Sequence, residues 1–219
     1  MSSTETSSTA NHPSGRAGES DEIADRLVEA AVAVFGECGY DTARVADIAL
    51  RAGLTTGAIF TRWRTKRDLF LAAIDHTTAY RLTFFEKNAE KSAIEMLTAL
   101  GARLGPTHPS KYENLRLEAF VSGRRDAALG EKVSQFYSAE SDELASIVAE
   151  GKHVGEIDAS LSTAAIVVLS LCIELGTHFA AMAELSDRAR PTMDEWNALM
   201  SRIVGSIAAP PAGDAATDA

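Results

Sequence analysis

The chain has 219 residues, 46% hydrophobic and 24% charged, and a net charge of −10. That balance is typical of a globular protein with a real core, and its acidity argues at first against a nucleic-acid partner. Two cysteines, Cys38 and Cys172, exclude a disulfide framework; with no CxxC or nearby His, both are expected as buried small apolar residues.

In chain order, residues 1–20 are rich in Ser, Thr, Gly and Ala. They lack a basic start and an apolar core, so they read as a disordered arm and not as a secretory signal. Helical periodicity then runs nearly throughout, and no alternating β-branched runs mark strands. The first helix spans Asp21 to Cys38, with Ile23, Leu27, Ala30, Ala31, Val34 and Phe35 on one stripe and Gly39 as its stop. A second runs from Arg44 to Ala52, with Val45, Ile48 and Ala49 inward and Gly53 after it. Thr55 can cap a third over Thr56 to Trp63. Thr65, with Asp68 three residues on, can cap a long fourth that continues through Leu69, Phe70, Ala73 and Ile74 to about Lys91.

Further helices are expected over Ala93 to Leu104, Ser110 to Ser122 and Asp126 to Gly151. The segment from Ser162 to Leu185 is apolar on nearly all sides, and Pro191 or Thr192 opens a last helix to about Ile207. The longest apolar run, Ala164 to Ile173, is too short to span a bilayer. The tail from Ala208 is expected to be disordered, and a cytoplasmic location with no membrane contact follows as an expectation. The fold class is therefore all-α. The expected organisation is an arm over 1–20, a domain over 21–81, a second helical domain over 82–207 and a tail over 208–219.

The charge is unevenly spread. Residues 42–67 carry Arg44, Arg51, Arg62, Arg64, Lys66 and Arg67 against Asp47 alone, while both flanking regions are acidic. Phosphate binding needs local positive charge and not a basic whole. Two short helices joined by Gly53-Leu54 make a helix-turn-helix over residues 44–63, a unit that can lay its second helix in the major groove of double-stranded DNA. The exposed positions of that helix are small or cationic: Thr55, Thr56, Ala58, Thr61 and Arg62. Small residues admit close approach to base edges, and Thr offers a hydroxyl and a methyl. Arg44 and Lys66 flank them. An ordinary αα-hairpin with a solvated basic face has the same composition.

Residues 22–70 resemble the DNA-binding domain of the tetracycline-repressor (TetR) family. The likeness runs through Arg26, Ala30-Ala31, Phe35, Gly39-Tyr40, Val45, Ile48-Ala49, Ala52-Gly53-Leu54-Thr55, Gly57, Ile59-Phe60, Trp63, Lys66, Asp68 and Leu69-Phe70, without a gap from Gly39 to Phe70. The resemblance implies that Thr55 opens a recognition helix, that Lys66 contacts phosphate, and that Gly57 allows close packing. Phe35, Ala49, Leu54 and Ile59 would then be core. The family's usual Tyr is Phe60 here, read as packing only, and Arg62 stands where His or Tyr is usual, as a replacement phosphate contact or a guanine reader.

The resemblance further implies a C-terminal domain that binds a small-molecule effector and forms a homodimer through the helices over about 162–185 and 192–207. Repression is the family's commonest mode, with release from a near-palindromic operator; a constitutive DNA-binding regulator without effector is the alternative. Effector-lining candidates are Phe120, Tyr137, Glu174 and His178, with the composition favouring an apolar or amphipathic effector. Glu174 and His178 stand four residues apart on one face of a very apolar helix, as a mutual pair or as a polar anchor. Two such ligands alone do not make a metal site, and no cofactor is expected. Catalytic motifs such as GxSxG, HExxH, GxGxxG or a P-loop are absent and the five His are scattered, so no enzyme is expected.

Overall fold

A computed structural model describes residues 14–105, 110–183 and 186–210. The order is α1 (Ser14–Cys38), α2 (Val45–Arg51), α3 (Thr56–Phe60), α4 (Lys66–Lys87), α5 (Ala93–Arg103), α6 (Lys111–Gly123), α7 (Ala127–His153), α8 (Thr163–Met182) and α9 (Met193–Gly205), with a 3₁₀ turn at Asp187–Ala189. The all-α expectation holds among the described residues.

Local chemistry sets most boundaries. Thr65, Ser92, Ser110 and Thr192 each accept a bond from the amide three residues on, and Asp68, Glu95, Glu113 and Glu195 return the bond to the capping residue. Asp126 caps α7 by accepting from Ala128 and Leu129. α3 stops at Phe60 and not at Trp63, because Thr65 must be extended to cap α4. The arm expected over 1–20 lies outside the described residues as far as residue 13, and from Ser14 the chain is already helical. Residues 211–219 of the expected tail also lie outside them. Ala208 and Ala209 are ordered: Ile157 and Ala208 form an isolated antiparallel bridge, and the Ala209 amide donates to Glu156 O at 2.9 Å. The end of the penultimate helix, expected at Leu185, falls at Met182, with residues 184–185 outside the described range.

Two apolar cores result. The first joins Leu27, Ala31 and Phe35 of α1 to Ile48, Ile59, Leu69 and Phe70, and continues into Leu115 of α6 and Leu129 of α7. The helix-turn-helix is thus welded to the second half of the chain. Gly36 marks the closest approach, where an added Cβ would lie 3.0 Å from Lys111 O. The second core packs Phe85, Met96, Leu97 and Leu100 against Leu144, Val148, Ile157, Ile166 and Val204. A Cβ at Gly151 would lie 2.5 Å from that of Ala93, so α5 and α7 need glycine there.

Two glutamates pin α6 to its neighbours. Glu29 of α1 accepts from His76 Nε2 at 2.9 Å and from Tyr112 Oη at 2.7 Å, and pairs with Lys111. Burial pushes its carboxyl up, but the bonds from Lys111, Tyr112 and His76 outweigh this and hold it at about 2. Glu113 is likewise held at about 2: burial raises it, and His178 with the Ser110 amide more than offset that. Both folded values lie below the ordinary 4.5. Their stabilisation is therefore present above pH 4.5 and lost as pH falls towards 2. Urea midpoints measured from pH 7 to pH 2.5 should fall in that window, and the fall should be shallower in the Glu29→Gln, Glu113→Gln double variant. An unchanged pH slope in that variant would overturn the assignment.

α8 differs from expectation. As a whole helix it is long and apolar enough, by length and composition, to cross a membrane, with a mean hydropathy of 1.8. Its middle carries buried Glu174 and His178, bound to other helices of the protein. Cys38 and Cys172 are exposed, not buried: both fall on outward faces of their helices.

Candidate nucleic-acid interface and the buried centre behind it

α2 and α3 meet at a turn through Gly53, whose φ of +65° is the left-handed conformation glycine adopts without strain. Ile48, Ala49 and Ile59 are fully buried beneath it, alongside Phe35 and Phe70. This holds α3 with its opposite face outward. That face presents Thr55, Thr56, Gly57 and Thr61 in the open and Ala58 half-buried. Thr55 Oγ1 accepts from the Ala58 amide at 3.3 Å, and Thr61 Oγ1 donates to Gly57 O at 2.6 Å. A Cβ at Gly57 would meet only Thr55 Oγ1, at 3.6 Å, so within the chain Gly57 does not serve close packing; it leaves the outward face flat. Phe60, read as a packing residue, is 53% exposed on this surface, while Leu54 and Trp63 are half-buried against the core.

The basic segment divides into tied and untied charges. Arg51 pairs with Glu37 at 2.7 Å, and Arg67 pairs with Asp126. Arg62 Nη2 donates to Ser20 O at 3.0 Å and Ser20 Oγ at 3.1 Å, so it is folded back onto the start of α1. Lys66 Nζ donates to three backbone carbonyls, Tyr40 at 2.7 Å and Asp41 and Ala43 at 3.2 Å, and lies 4.7 Å from the Tyr40 ring centre. Its three N–H groups thus close the α1–α2 loop onto α4. Arg44 and Arg64 are exposed, with no side-chain hydrogen bond or ion pair among the described residues.

The effector-side candidates are not brought together. Phe120 is 46% exposed and lies on the surface. Tyr137 faces inward with its hydroxyl buried and unpartnered. Glu174 does not pair with His178. It binds Arg116 of α6 and, at 3.1 Å, Arg81 of α4, while His178 Nε2 lies 3.5 Å from Glu113. The i, i+4 reading fails because guanidinium groups from neighbouring helices reach the carboxylate first.

Arg81 and Arg116 also bind Glu140 of α7, the latter at 2.8 Å. Four buried charges, one each from α4, α6, α7 and α8, therefore form a neutral ring, with side chains 2–5% exposed. Burial raises the Glu140 carboxyl, but Arg116 and Arg81 outweigh it and hold it below its ordinary range. The Arg116 guanidinium lies 4.5 Å from the Phe136 ring centre and 5.4 Å from that of Tyr137. The ring sits where the two cores meet: on α4, Ile74 belongs to the first core, Phe85 to the second, and Arg81 lies between. Sequence reading missed Arg81, Arg116 and Glu140, although register carried a signal. Glu140 continues the apolar stripe Leu129, Val133, Phe136, Leu144 and Val148, and Arg81 continues Phe70, Ile74, Thr77 and Phe85.

Beside the ring, Ile74, Thr77, Leu115, Arg116, Val133 and Tyr137 line a cavity of about 10 Å³ between α4, α6 and α7. On the opposite side, α8 exposes Val168 (58%), Leu169 (49%), Phe179 (74%) and Met182 (59%), and α9 adds Leu199 (51%). Among the described residues, nothing outside its own helix turn lies within 4 Å of a Cβ placed on Gly176, on that same helix.

Residues 27–73 match the family described as bacterial regulatory proteins, tetR family. No curated protein sequence matches the chain. Among solved structures, a TetR transcriptional regulator from Chloroflexus aurantiacus superposes with a TM-score of 0.71 at 19% identity, covering 87% of this chain and 98% of its own. The transcriptional regulator FadR from Bacillus subtilis, in complex with stearoyl-CoA, gives 0.63 at 20%, covering 82% and 96%. A protein from Saccharomonospora viridis in complex with choline gives 0.70 at 19%, covering 87% and 99%. At these identities the structural likeness carries the fold, and the family rests on the matched segment. Residues 27–73 thus match the TetR-family DNA-binding segment, and the chain has the fold of TetR-family transcriptional regulators along most of its length.

Proposed function

We propose that this chain is a homodimeric, sequence-specific repressor that leaves a near-palindromic operator when a small effector binds between α4, α6, α7 and α8. The observation that carries the reading is the helix-turn-helix, whose α3 turns Thr55, Thr56, Ala58 and Thr61 outward beside the untied Arg44 and Arg64. Small and hydroxyl side chains suit base edges, and free guanidinium groups suit phosphates. The apolar outward face of α8 and α9 supports a two-fold dimer with two recognition helices about one DNA turn apart. Relatives bound to stearoyl-CoA and choline support a ligand in the second half. The test is footprinting upstream of the chain's own gene, with and without candidate effectors. Protection of a near-palindrome that effector abolishes supports the reading; uniform protection of all sequences sinks it.

A constitutive regulator without effector is favoured by one observation: at the α4–α6–α7 centre the cavity of about 10 Å³ leaves no ready space for a ligand. Protection that no effector relieves would decide for it.

The DNA contacts are assigned by how each cation is held. Arg44 acts directly on phosphate, as does Arg62 once it leaves Ser20, and Lys66 acts by fixing the loop that carries Arg44. Arg44→Ala should flatten the plot of log K against log salt by about 0.9 per lost phosphate contact. Lys66→Ala should weaken binding with a smaller change of slope, because the charge already serves Tyr40, Asp41 and Ala43. A drop of about 0.9 for Lys66→Ala would return it to the phosphate contacts.

A further inference from the structure

Resting on the effector reading, we infer that the ligand of the α4–α6–α7–α8 centre is an uncharged, largely apolar molecule bearing a hydrogen-bond-accepting oxygen, such as a ketone. Three features of the buried centre point the same way. First, the ring is charge-balanced, two guanidinium groups against two carboxylates, and every carboxylate oxygen already accepts one bond. Second, besides His178 Nε2, which faces Glu113 at 3.5 Å, the groups left without a hydrogen-bond partner there are the Nε and Nη1 of Arg81, the Nε of Arg116 and the hydroxyl of Tyr137. All four can donate, and buried donors without acceptors are costly. Third, the cavity that Arg116 and Tyr137 share is otherwise lined by Ile74, Leu115, Ala119, Val133 and Phe136, and by Thr77, whose hydroxyl already donates to Ala73 O at 2.9 Å.

Charge decides among ligand classes. An anion would leave net negative charge beside Glu140 and Glu174 in a dry interior, and a cation would meet two guanidinium groups with only the Tyr137 hydroxyl able to accept from it. A neutral carbonyl adds no charge, can accept from both the Arg116 Nε–H and the Tyr137 hydroxyl, and leaves its chain among the apolar residues. Because the cavity is small, entry must part α4 from α7. α4 begins at Lys66 and ends beyond Arg81, so parting it there moves the helix that the α1–α2 loop is fastened to.

The test is calorimetric titration of the full chain at pH 7.5 with four six-carbon probes: 2-hexanone, hexane, hexanoate and hexyltrimethylammonium, each also added to an operator mobility-shift assay. 2-Hexanone should bind at least tenfold more tightly than each of the others. Tyr137→Phe should reduce its affinity about threefold or more while leaving hexane binding unchanged. Tighter binding of hexanoate or the ammonium overturns the ligand class but leaves an effector-responsive regulator standing. Binding of 2-hexanone without operator release supports the ligand class and sinks release. No binding by any probe overturns the ligand class, and the footprinting with other effectors then decides the regulator reading.

Discussion

Arg116→Met should destabilise the chain by about 3–5 kcal/mol, the usual cost of breaking a buried ion pair from one side. Glu140 and Glu174 would then face each other across Arg81 alone, two carboxylates for one guanidinium, with side chains no more than 4% exposed. Arg116 also covers the Phe136 ring, so the substitution keeps length and apolar contact while deleting the charge. Replacing all four members by apolar residues of similar volume should behave differently. Such replacements are commonly neutral or stabilising by about 1–4 kcal/mol, since four desolvation penalties vanish together. Urea denaturation read by circular dichroism measures both. If the single change costs under about 1 kcal/mol, the ring is not the structural centre described here. If the quadruple variant is stable but no longer responds to any effector, the ring's role is recognition and not stability.

In the proposed dimer, Phe179→Asp should give a monomer and reduce operator affinity by about 10²–10⁴, the range lost when two linked half-site contacts become independent. Phe179 is 74% exposed on α8, so a fold penalty is small. Its neighbours on the face, Leu169 and Met182, together with Leu199 of α9, extend an apolar surface that a polar substitution interrupts. Sedimentation gives the mass, footprinting gives the affinity, and the circular dichroism spectrum confirms that the helices persist. A Phe179→Asp variant that stays dimeric would move the interface elsewhere. A monomer with undiminished operator affinity would remove dimerisation from the DNA-binding mechanism.

The coupling between the two ends of the molecule follows from packing. The first core runs without interruption from Phe35 and Ile59 to Leu115 and Leu129, and Glu29 ties α1 to His76, Lys111 and Tyr112. Close-packed interiors transmit displacement because they have few voids to absorb it. Leu115 of α6 and Leu129 of α7 thus share one core with the helix-turn-helix.

Local and periodic features were legible in the sequence alone. The helices, the caps at Thr55 and Thr65 and the turn at Gly53 follow from interactions within a few residues, which the chain order states directly. The buried side of α1, α2, α4 and α7 was equally legible from apolar stripes at three- and four-residue spacing, whereas α8 and α9 turn part of their apolar surface outward. The basic segment at 42–67 is a matter of composition. Which of its cations remain untied is not: Arg51 meets Glu37, Arg62 meets Ser20, Arg67 meets Asp126 and Lys66 meets the carbonyls of the α1–α2 loop, and each pairing spans from 14 to 59 positions. The same holds for the buried ring, where Glu174 passed over His178, four residues away, for Arg81 and Arg116, 93 and 58 positions distant. Long side chains choose partners by distance in space, and only the packing of α4, α6, α7 and α8 around one centre sets those distances.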